Sequence, residues 1–286
     1  MSASYPNQWV AQSISLAQSP GYLDRLSQVY PAKPSAPRPL EPSVKKRIQQ
    51  FHQSKNRQRL LKQLLELERF PFEHPYVPLL REYPELIDKN PGIVQQIGGE
   101  LLKMDAEDII RACERPPYIN RQMGSAFRKW LKHYFSGKGY SFLSKKHDFL
   151  NHNGPAFLDA GDTVISQFVT TELALSLEVE GIDIERYFRR DCLAKVGKVP
   201  TYVIGEARFL STFGGSQTRD LKETLEFVTR TNNAALKQNK SIKAVGILDG
   251  IPWLDDSYRN LIIAKVGPDD PVLSALLLED YLKSIP

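Results

Sequence analysis

The sequence predicts a mixed α/β fold preceded by a mostly helical N-terminal region, and two observations support this prediction. Up to about residue 150, apolar residues recur mainly at helical spacing, whereas after Gly154 and Pro155 helical segments alternate with short β-branched runs. Of the 286 residues, 41% are hydrophobic and 25% are charged, which is typical of a soluble globular protein. No apolar run approaches the roughly 18 residues that cross a bilayer, so no membrane association is expected.

Charge and cysteine content narrow the class of protein further. The 38 Lys and Arg residues exceed the 33 Asp and Glu residues, and the resulting net charge of +5 allows a polyanionic partner. Cys113 and Cys192 lie far apart and outside any metal-ligand spacing. This pattern argues against a zinc site or a disulfide scaffold and favours a reducing cytoplasm.

Changes in composition divide the chain into three predicted segments. Residues 1–42 are rich in Ser, Gln and Pro, and we expect them to form an extended arm or linker. Residues 43–150 are predicted to form a helical domain for DNA contact or dimerisation, with helix starts at Pro91, after Asp105 and at Asn120. Residues 151–286 are predicted to form the α/β domain.

Within the α/β domain, three strands and three helices are expected. The predicted strands are residues 191–196 and 201–208, joined as a hairpin around Gly197, and residues 243–249. The predicted helices are residues 163–179, residues 217–238 with Leu221, Leu225, Val228 and Leu236 inward, and a C-terminal helix within residues 271–286.

The strand TYVIGEAR carries the residues of greatest chemical interest. Because side chains alternate along a strand, Glu206 and Arg208 are predicted to share one face. Asp191 begins the neighbouring predicted strand, and antiparallel pairing would bring its carboxylate near that of Glu206. One or two carboxylates are what Mg²⁺ usually takes from a protein, with water and phosphate completing the octahedron. The pattern therefore predicts a magnesium site suited to phosphodiester chemistry.

These residues resemble a known family. The pattern Asp191-(x14)-Glu206-Ala207-Arg208 is similar to the PD-(D/E)xK motif of restriction-endonuclease-like nucleases. The segments VIGEARFLSTFGGSQ, KAVGILDGIPW and NRQMGSAFRKWL resemble type II restriction endonucleases in particular. The resemblance implies a restriction-endonuclease-like mixed β-sheet core flanked by helices.

The resemblance also implies roles for individual residues. Asp191 and Glu206 would be metal ligands, with the carbonyl of Ala207 as a third, and Arg208 stands where the family usually has lysine. A lysine ammonium can lose its proton and then act as a base, whereas a guanidinium stays charged and cannot. We therefore expect the arginine to affect the turnover rate. Glu172, on the preceding helix, is a candidate accessory acid near the metal.

Several further residues are candidates for DNA contact. Gln217 follows the glycine pair Gly214 and Gly215, whose backbone freedom would let the segment approach a DNA strand. In the predicted helix after Asn120, the cations lie beside aromatic residues and could neutralise phosphates: Arg128, Lys129 and Lys132, beside Trp130 and Tyr134. A solvated helix face remains the alternative interpretation of this helix.

Other catalytic classes lack their motifs. The five histidines form no HxH, HExxH or HNH-like cluster, and the chain has no P-loop, no GxGxxG after a strand and no GxSxG. No nucleotide cofactor is therefore expected.

We expect a prokaryotic, cytoplasmic, Mg²⁺-dependent endonuclease that cuts double-stranded DNA at a specific sequence. Because most such DNA sites are two-fold symmetric, a homodimer with one active site for each strand is the expected assembly. Two alternatives stay open. The first is a catalytically weakened DNA-binding protein, because Arg208 replaces the usual lysine. The second is a nuclease of DNA repair, since the motif also occurs in such enzymes.

Overall fold

The chain folds into two compact units. The computed structural model describes residues 7–31, 37–115, 123–178, 181–212 and 214–286. One unit, the sheet unit, combines Met1–Ala32 with Ile119–Pro286, and the other, the helical unit, comprises Lys33–Tyr118. Each unit has its own cluster of buried apolar side chains.

The described residues before residue 137 form helices and loops, and the first strand begins at residue 141. The helices are α1 Gln8–Gln18, α2 Tyr22–Val29, α3 Pro42–Gln53, α4 Arg57–Leu65, α5 Val77–Glu82, α6 Leu86–Lys89, α7 Pro91–Lys103, α8 Ala106–Glu114, α9 Met123–Ser136, α10 Lys146–Asn151, α11 Asp162–Gln167, α12 Ile184–Tyr187, α13 Gly215–Lys237, α14 Ile251–Leu254, α15 Asp256–Lys265 and α16 Leu278–Lys283. The strands are β1 Ser141–Leu143, β2 Ala156–Leu158, β3 Cys192–Val196, β4 Thr201–Leu210, β5 Ile242–Gly250 and β6 Val272–Leu273. A π-helical turn, Phe168–Glu172, continues α11, and a 3₁₀ turn, Ala275–Leu277, precedes α16.

The six strands of the described residues form one mixed sheet in the order β1-β2-β3-β4-β5-β6. The β3–β4 hairpin pairs antiparallel, with Cys192 opposite Gly205, and β5 lies parallel to β4 on its other side. The hairpin turn needs Gly197, because its φ is +84° and an added Cβ would collide with the Pro286 carbonyl. The predicted α/β fold is thus confirmed as a mixed sheet flanked by helices, with a helical N-terminal region.

Helices cover both faces of this sheet. An added Cβ at Gly246 in β5 would contact Thr224 and Val228 of α13, so α13 covers the face to which Gly246 points. On the opposite face, Tyr30 at the end of α2 packs against Phe209 of β4 and Phe127 of α9. Side chains near the end of β4 therefore meet α13 on one face and α2 and α9 on the other.

In the helical unit, α7 begins at Pro91 and α8 begins directly after Asp105, as predicted. Pro91 occupies the first turn of α7, where its missing N–H costs no hydrogen bond. Asn56 caps α4 by accepting from the Arg59 N–H at 3.1 Å. The core of this unit centres on Ile48, Leu60, Leu61, Leu64, Ile97, Leu101 and Ile109, none of which has appreciable exposure.

Several sequence expectations are corrected. Residues 8–29, expected in an extended arm, form α1 and α2 with apolar faces buried in the sheet unit. The helix expected over residues 163–179 ends at the π-helical turn, and the C-terminal helix is instead β6, a 3₁₀ turn and α16. Leu236, expected inward, is 80% exposed, whereas Leu221, Leu225 and Val228 are buried. The helix start expected at Asn120 lies outside the described residues.

The predicted domain boundaries also differ from the two units. Residues 123–136 were predicted to belong to the helical domain, but α9 buries Phe127 and Phe135 in the core of the sheet unit. Strands β1 and β2 were not predicted. None of the helices that the structure describes is long and apolar enough to cross a membrane.

Candidate active site

Asp191 is held against the middle of β4. It directly precedes β3, and its backbone N–H donates to the Gly205 carbonyl at 3.0 Å. Its side-chain Oδ2 accepts from the Ala207 N–H at 2.9 Å. Both bonds fix the Asp191 carboxylate beside the segment of β4 that carries Glu206.

Glu206 and Arg208 share a strand face, as predicted from the alternation of side chains. Glu206 pairs with Gly246 in the parallel ladder, so its side chain points to the α13 face of the sheet. Two nitrogens of Arg208 donate to Glu206 Oε1, Nη2 at 2.6 Å and Nε at 3.1 Å. Burial by itself lowers the pKa of Arg208, but the charge and hydrogen bonds of Glu206 leave it raised. Arg208 is therefore a fixed cation beside a carboxylate that is only 4% exposed.

A second guanidinium, that of Arg190, lies on the other side of Glu206. Its Nε is 3.7 Å from Glu206 Oε2. The group stacks on the ring of Phe227 in α13, 4.0 Å from the centroid, and also lies over Tyr187. Burial lowers the pKa of Arg190. The sequence analysis assigns this residue no role in the site, although its position immediately before Asp191 is a usable signal.

The contact between Arg190 and Glu206 is incomplete. Arg190 Nε and Glu206 Oε2 are both buried, and neither has a hydrogen-bond partner within the described part of the chain. A buried carboxylate oxygen without a partner is costly unless something fills the position. This oxygen is thus a position at which a cation or a water molecule would be stabilised.

The electrostatic setting of Asp191 links the site to α9. The pKa of the Asp191 carboxyl is raised overall, mainly by burial and also by the negative charge of Glu206, whereas the hydrogen bond from Ala207 acts to lower it. The positive charges of Arg208 and Arg128 act in the lowering direction. A Cβ added at Gly124 of α9 would lie 3.5 Å from Asp191 Oδ1, so the backbone of α9 passes close to this carboxylate.

The donor set is consistent with a divalent metal held by few protein ligands. No cluster of three or more His, Cys, Asp or Glu side chains occurs among the described residues. Mg²⁺ commonly takes only one or two carboxylates and keeps several waters. Asp191 and Glu206, with the unpartnered Glu206 Oε2, fit that pattern, whereas a cage of protein ligands is not present in the described ranges.

Glu172, predicted as an accessory acid, is not brought to these carboxylates. It ends the π-helical turn that begins at Phe168, whose ring packs 6.1 Å from that of Tyr202 at the start of β4. The next segment bonds Ser176 to Gln238 at the C-terminal end of α13. Both contacts lie at the end of β4 remote from Arg208, and Glu172 is exposed there.

Gln217 has its amide committed within its own loop. Its Oε1 accepts from the Thr212 N–H at 3.1 Å, and its Nε2 donates to Thr212 Oγ1 at 2.8 Å. These bonds tie the N-terminal turn of α13 to the end of β4. The side chain as it stands shapes the loop that follows the site.

The predicted basic face of α9 is only partly free. Lys132 pairs with Asp159 at 2.6 Å, whereas Arg128 and Lys129 are exposed and have no ion pair among the described residues. Trp130 stacks on Tyr134 and packs against the core, as expected for the inner side of this helix. Of the three cations expected to neutralise phosphates, two therefore have no ion pair within the described residues.

A buried polar network adjoins the site on the opposite sheet face, and sequence reasoning missed it. Asp249, at the end of β5, accepts from Tyr30 Oη at 2.9 Å, Ser274 Oγ at 2.5 Å and the Ala275 N–H at 3.1 Å. Burial raises the pKa of Asp249 to about 7, with the three hydrogen bonds opposing the shift. Burial also raises the pKa of Tyr30, and the charges of Asp249 and Asp191 contribute.

Comparison with known families identifies the class of protein to which this chain belongs. Residues 7–285 match the model of a family of type II restriction enzymes. The family is the Tsp45I type II restriction enzyme family, and the chain belongs to it. Membership implies a site-specific endonuclease acting on double-stranded DNA. No curated protein and no solved structure matches the chain.

The match confirms the resemblance to type II restriction endonucleases. The narrower assignment, to the PD-(D/E)xK superfamily with Arg208 in place of lysine, stays a prediction.

Proposed function

We propose that this protein is a Mg²⁺-dependent type II restriction endonuclease whose active site is formed by Asp191, Glu206 and Arg208. The observation that carries this proposal is that the Asp191 carboxylate is hydrogen-bonded to Ala207, next in sequence to Glu206, whose buried Oε2 has no hydrogen-bond partner among the described residues. Family membership supplies the reaction class, and the geometry favours these residues over others in the described chain.

Asp191, Glu206 and the carbonyl oxygen of Ala207 would hold the metal. When bound, the metal would supply a water of lowered pKa and would neutralise charge on the phosphodiester. The hydrogen bond from the Ala207 N–H fixes the orientation of the Asp191 carboxylate in advance. The ion pair with Arg208 holds Glu206 through Oε1, and Oε2 is the oxygen proposed to face the metal.

Arg190 and Arg208 both lie beside Glu206 and offset its negative charge before any metal or DNA binds. Arg208 is held on Glu206 Oε1, and its other donors, which have no partner among the described residues, are proposed to bind a phosphate oxygen. It cannot take a proton from water, because a guanidinium stays charged, so its proposed role is electrostatic. Arg190 is the more buried of the two and is proposed to hold Glu206 in place.

Arg128 and Lys129 are proposed to contact the DNA backbone near the site, with a smaller contribution from Lys132 because Asp159 already pairs with it. A DNA contact by Gln217 would require it to leave Thr212. A homodimer, the absence of a nucleotide cofactor and a cytoplasmic, prokaryotic setting complete the proposal.

A weakened, DNA-binding relative is the second candidate, and the ion pair between Arg208 and Glu206 favours it. Two nitrogens of Arg208 already bind the carboxylate that the metal would need. A metal ion would have to share Glu206 with this guanidinium or displace it. If it cannot, the chain binds DNA but does not cut it.

Digestion of a DNA of known sequence, with the fragment ends mapped, tests the proposal. With Mg²⁺ we expect discrete fragments whose ends fall at one short sequence. Specific binding without cutting, in Mg²⁺ and in Mn²⁺, would support the weakened relative. Cutting without sequence preference would instead indicate a nuclease of DNA repair.

A further inference from the structure

Charge is strongly segregated within the helical unit. Residues 42–65, which form α3, α4 and the turn between them, contain seven Lys and Arg residues and no Asp or Glu. The rest of the unit contains eight cations and twelve acids, so it is net negative. Scattered solvating charges would mix both signs, as they do elsewhere in the chain. A segment of one sign on a unit of the other points to an anionic partner.

Three of the seven cations have partners within the unit. Lys45 pairs with Glu114 at 2.7 Å, Lys62 pairs with Asp88 at 3.0 Å, and Arg57 donates to Gln95. The other four are exposed and have no ion pair in the part of the chain that the structure describes: Lys46, Arg47, Lys55 and Arg59. We call these four the α3–α4 basic face.

The packing of α3 explains why Lys46 and Arg47 point to solvent. Gln49 and His52 bond to Glu107 and to the Met104 carbonyl, and Ile48 is fully buried. Residues 43, 46, 47, 50 and 53 recur at helical spacing on the opposite side, and all are exposed. This stripe contains Gln50 and Gln53, which can donate and accept hydrogen bonds.

The turn and α4 extend the same surface. Lys55 lies in the three-residue turn that links α3 to α4, in a left-handed conformation with φ of +53°. Arg59 is the third residue of α4 and is exposed on that helix. At about 1.5 Å per residue, Arg47 lies roughly 9 Å along α3 from the turn. The basic face thus reaches far enough to meet more than one phosphate.

We propose that the α3–α4 basic face binds the phosphate backbone of duplex DNA. Duplex DNA carries about one negative charge per 1.7 Å of its axis, so it can meet all four cations at once. The exposed side chains between Arg47 and Lys55 are polar, namely Gln50, Gln53 and Ser54, and residues 42–65 expose no large apolar side chain of the kind that enters a lipid surface. The proposal rests on the proposed DNA substrate and adds a second contact region, remote in sequence from Asp191.

A charge-matched pair of double variants tests the proposal in the full-length protein. Arg47→Gln/Arg59→Gln removes two unpaired cations of the basic face. Lys103→Gln/Arg111→Gln removes two cations of the same unit that pair with Glu100 and Asp108. Both variants lower the net charge by two, so a difference between them reports position and not overall charge. Anisotropy of a labelled random-sequence duplex in Ca²⁺, over a salt series, measures the affinity and its salt dependence.

For the basic-face variant we expect affinity to fall about 10- to 100-fold, with the log–log salt slope smaller by up to about 1.8. The control variant should keep the wild-type slope. A basic-face variant with wild-type slope and affinity overturns the proposal, and so does a wild-type chain with no salt-dependent duplex binding. Equal losses in both variants would also overturn it, because the effect would then be one of net charge.

Plasmid cleavage in Mg²⁺ is scored separately on the same proteins. A wild-type chain that binds through this face but never cuts would refute the proposed endonuclease function and leave the inference standing. If the wild-type chain cuts normally but Arg47→Gln/Arg59→Gln leaves the salt slope unchanged, the inference about the basic face is refuted and the endonuclease function stands.

Discussion

Arg208 holds Glu206 through two nitrogens, and this geometry sets the effect of replacing it. Arg208→Ala removes the cation that neutralises a buried carboxylate, so we expect cleavage to fall at least about 100-fold, as when other preorganised charges are removed. Arg208→Lys keeps the charge with a single ammonium and leaves Glu206 freer to bind a metal, so activity should be retained or raised. Initial cleavage rates of a plasmid in Mg²⁺ measure both effects.

An inactive lysine variant with an unchanged circular dichroism spectrum would contradict this interpretation of Arg208. It would mean that the planar fork itself, through two simultaneous hydrogen bonds, is required.

At the scale of residues, local sequence predicted contacts within the hairpin but not contacts across the fold. Strand alternation was enough to place Glu206 beside Arg208, and hairpin pairing was enough to bring Asp191 to β4. The stacking of Arg190 on Phe227 joins residues on separate elements. No local pattern encodes that contact, because it depends on where α13 packs.

The Asp249 network connects three elements, and it predicts a pH dependence of stability. The unfolded chain would lose the Asp249 proton near pH 4, whereas the folded chain holds it up to about 7. Between these values the folded state binds more protons, so raising the pH lowers the free energy of unfolding by up to about 1.4 kcal/mol per pH unit. Asp249→Asn should remove this contribution.

Urea unfolding of wild type and Asp249→Asn at several pH values between about 5 and 7 measures the difference in slope. Asp269→Asn, at an exposed position, is the control and should follow the wild type. An Asp249→Asn protein with the wild-type pH slope would refute a proton held on Asp249 in the folded state.

At the scale of elements, the length of the periodic segment decided which predictions succeeded. The hairpin strands, β5 and the 23-residue α13 lie close to their predicted ranges, because each shows several repeats of its pattern. Strands β1 and β2 have three residues each, too few for alternation to be visible. In the C-terminal segment, Val272 and Leu273 continue an apolar run, so a short strand could not be separated from the helix that follows.

At the scale of the whole molecule, helical pattern did not reveal to which core a helix belongs. Helices α1, α2 and α9 were predicted outside the α/β domain or were not predicted, yet all three bury apolar faces in the sheet unit. Tyr30 and Asp249 are 219 residues apart in sequence and form one hydrogen bond. Periodicity predicts which face of a helix is buried, but the core against which that face packs is known only from the three-dimensional structure.

The proposed homodimer makes a prediction about the whole molecule. One active site for each strand of a symmetric duplex requires two chains. Size-exclusion chromatography with light scattering should therefore give twice the mass of one chain, alone or with duplex bound in Ca²⁺. A single-chain mass in both conditions would rule out the simple dimer and require two successive single-strand cuts.

Cleavage by Asp191→Asn, compared with its DNA binding, tests the central claim most directly. Asparagine keeps an oxygen for the Ala207 N–H but loses the charge that would hold a metal, so the fold should persist. Glu206→Gln would also leave the buried Arg190 without a counter-charge, so a loss of cleavage in that variant could reflect a loss of stability. Glu178→Gln, at an exposed residue of the same unit, serves as the control.

We predict that Asp191→Asn cuts plasmid DNA in Mg²⁺ slower by orders of magnitude, as expected for a group that acts mainly in the transition state. Its affinity for duplex in Ca²⁺ should stay close to that of wild type and of Glu178→Gln. An Asp191→Asn protein that cuts at the wild-type rate would contradict the assignment of the active site to the β3–β4 hairpin.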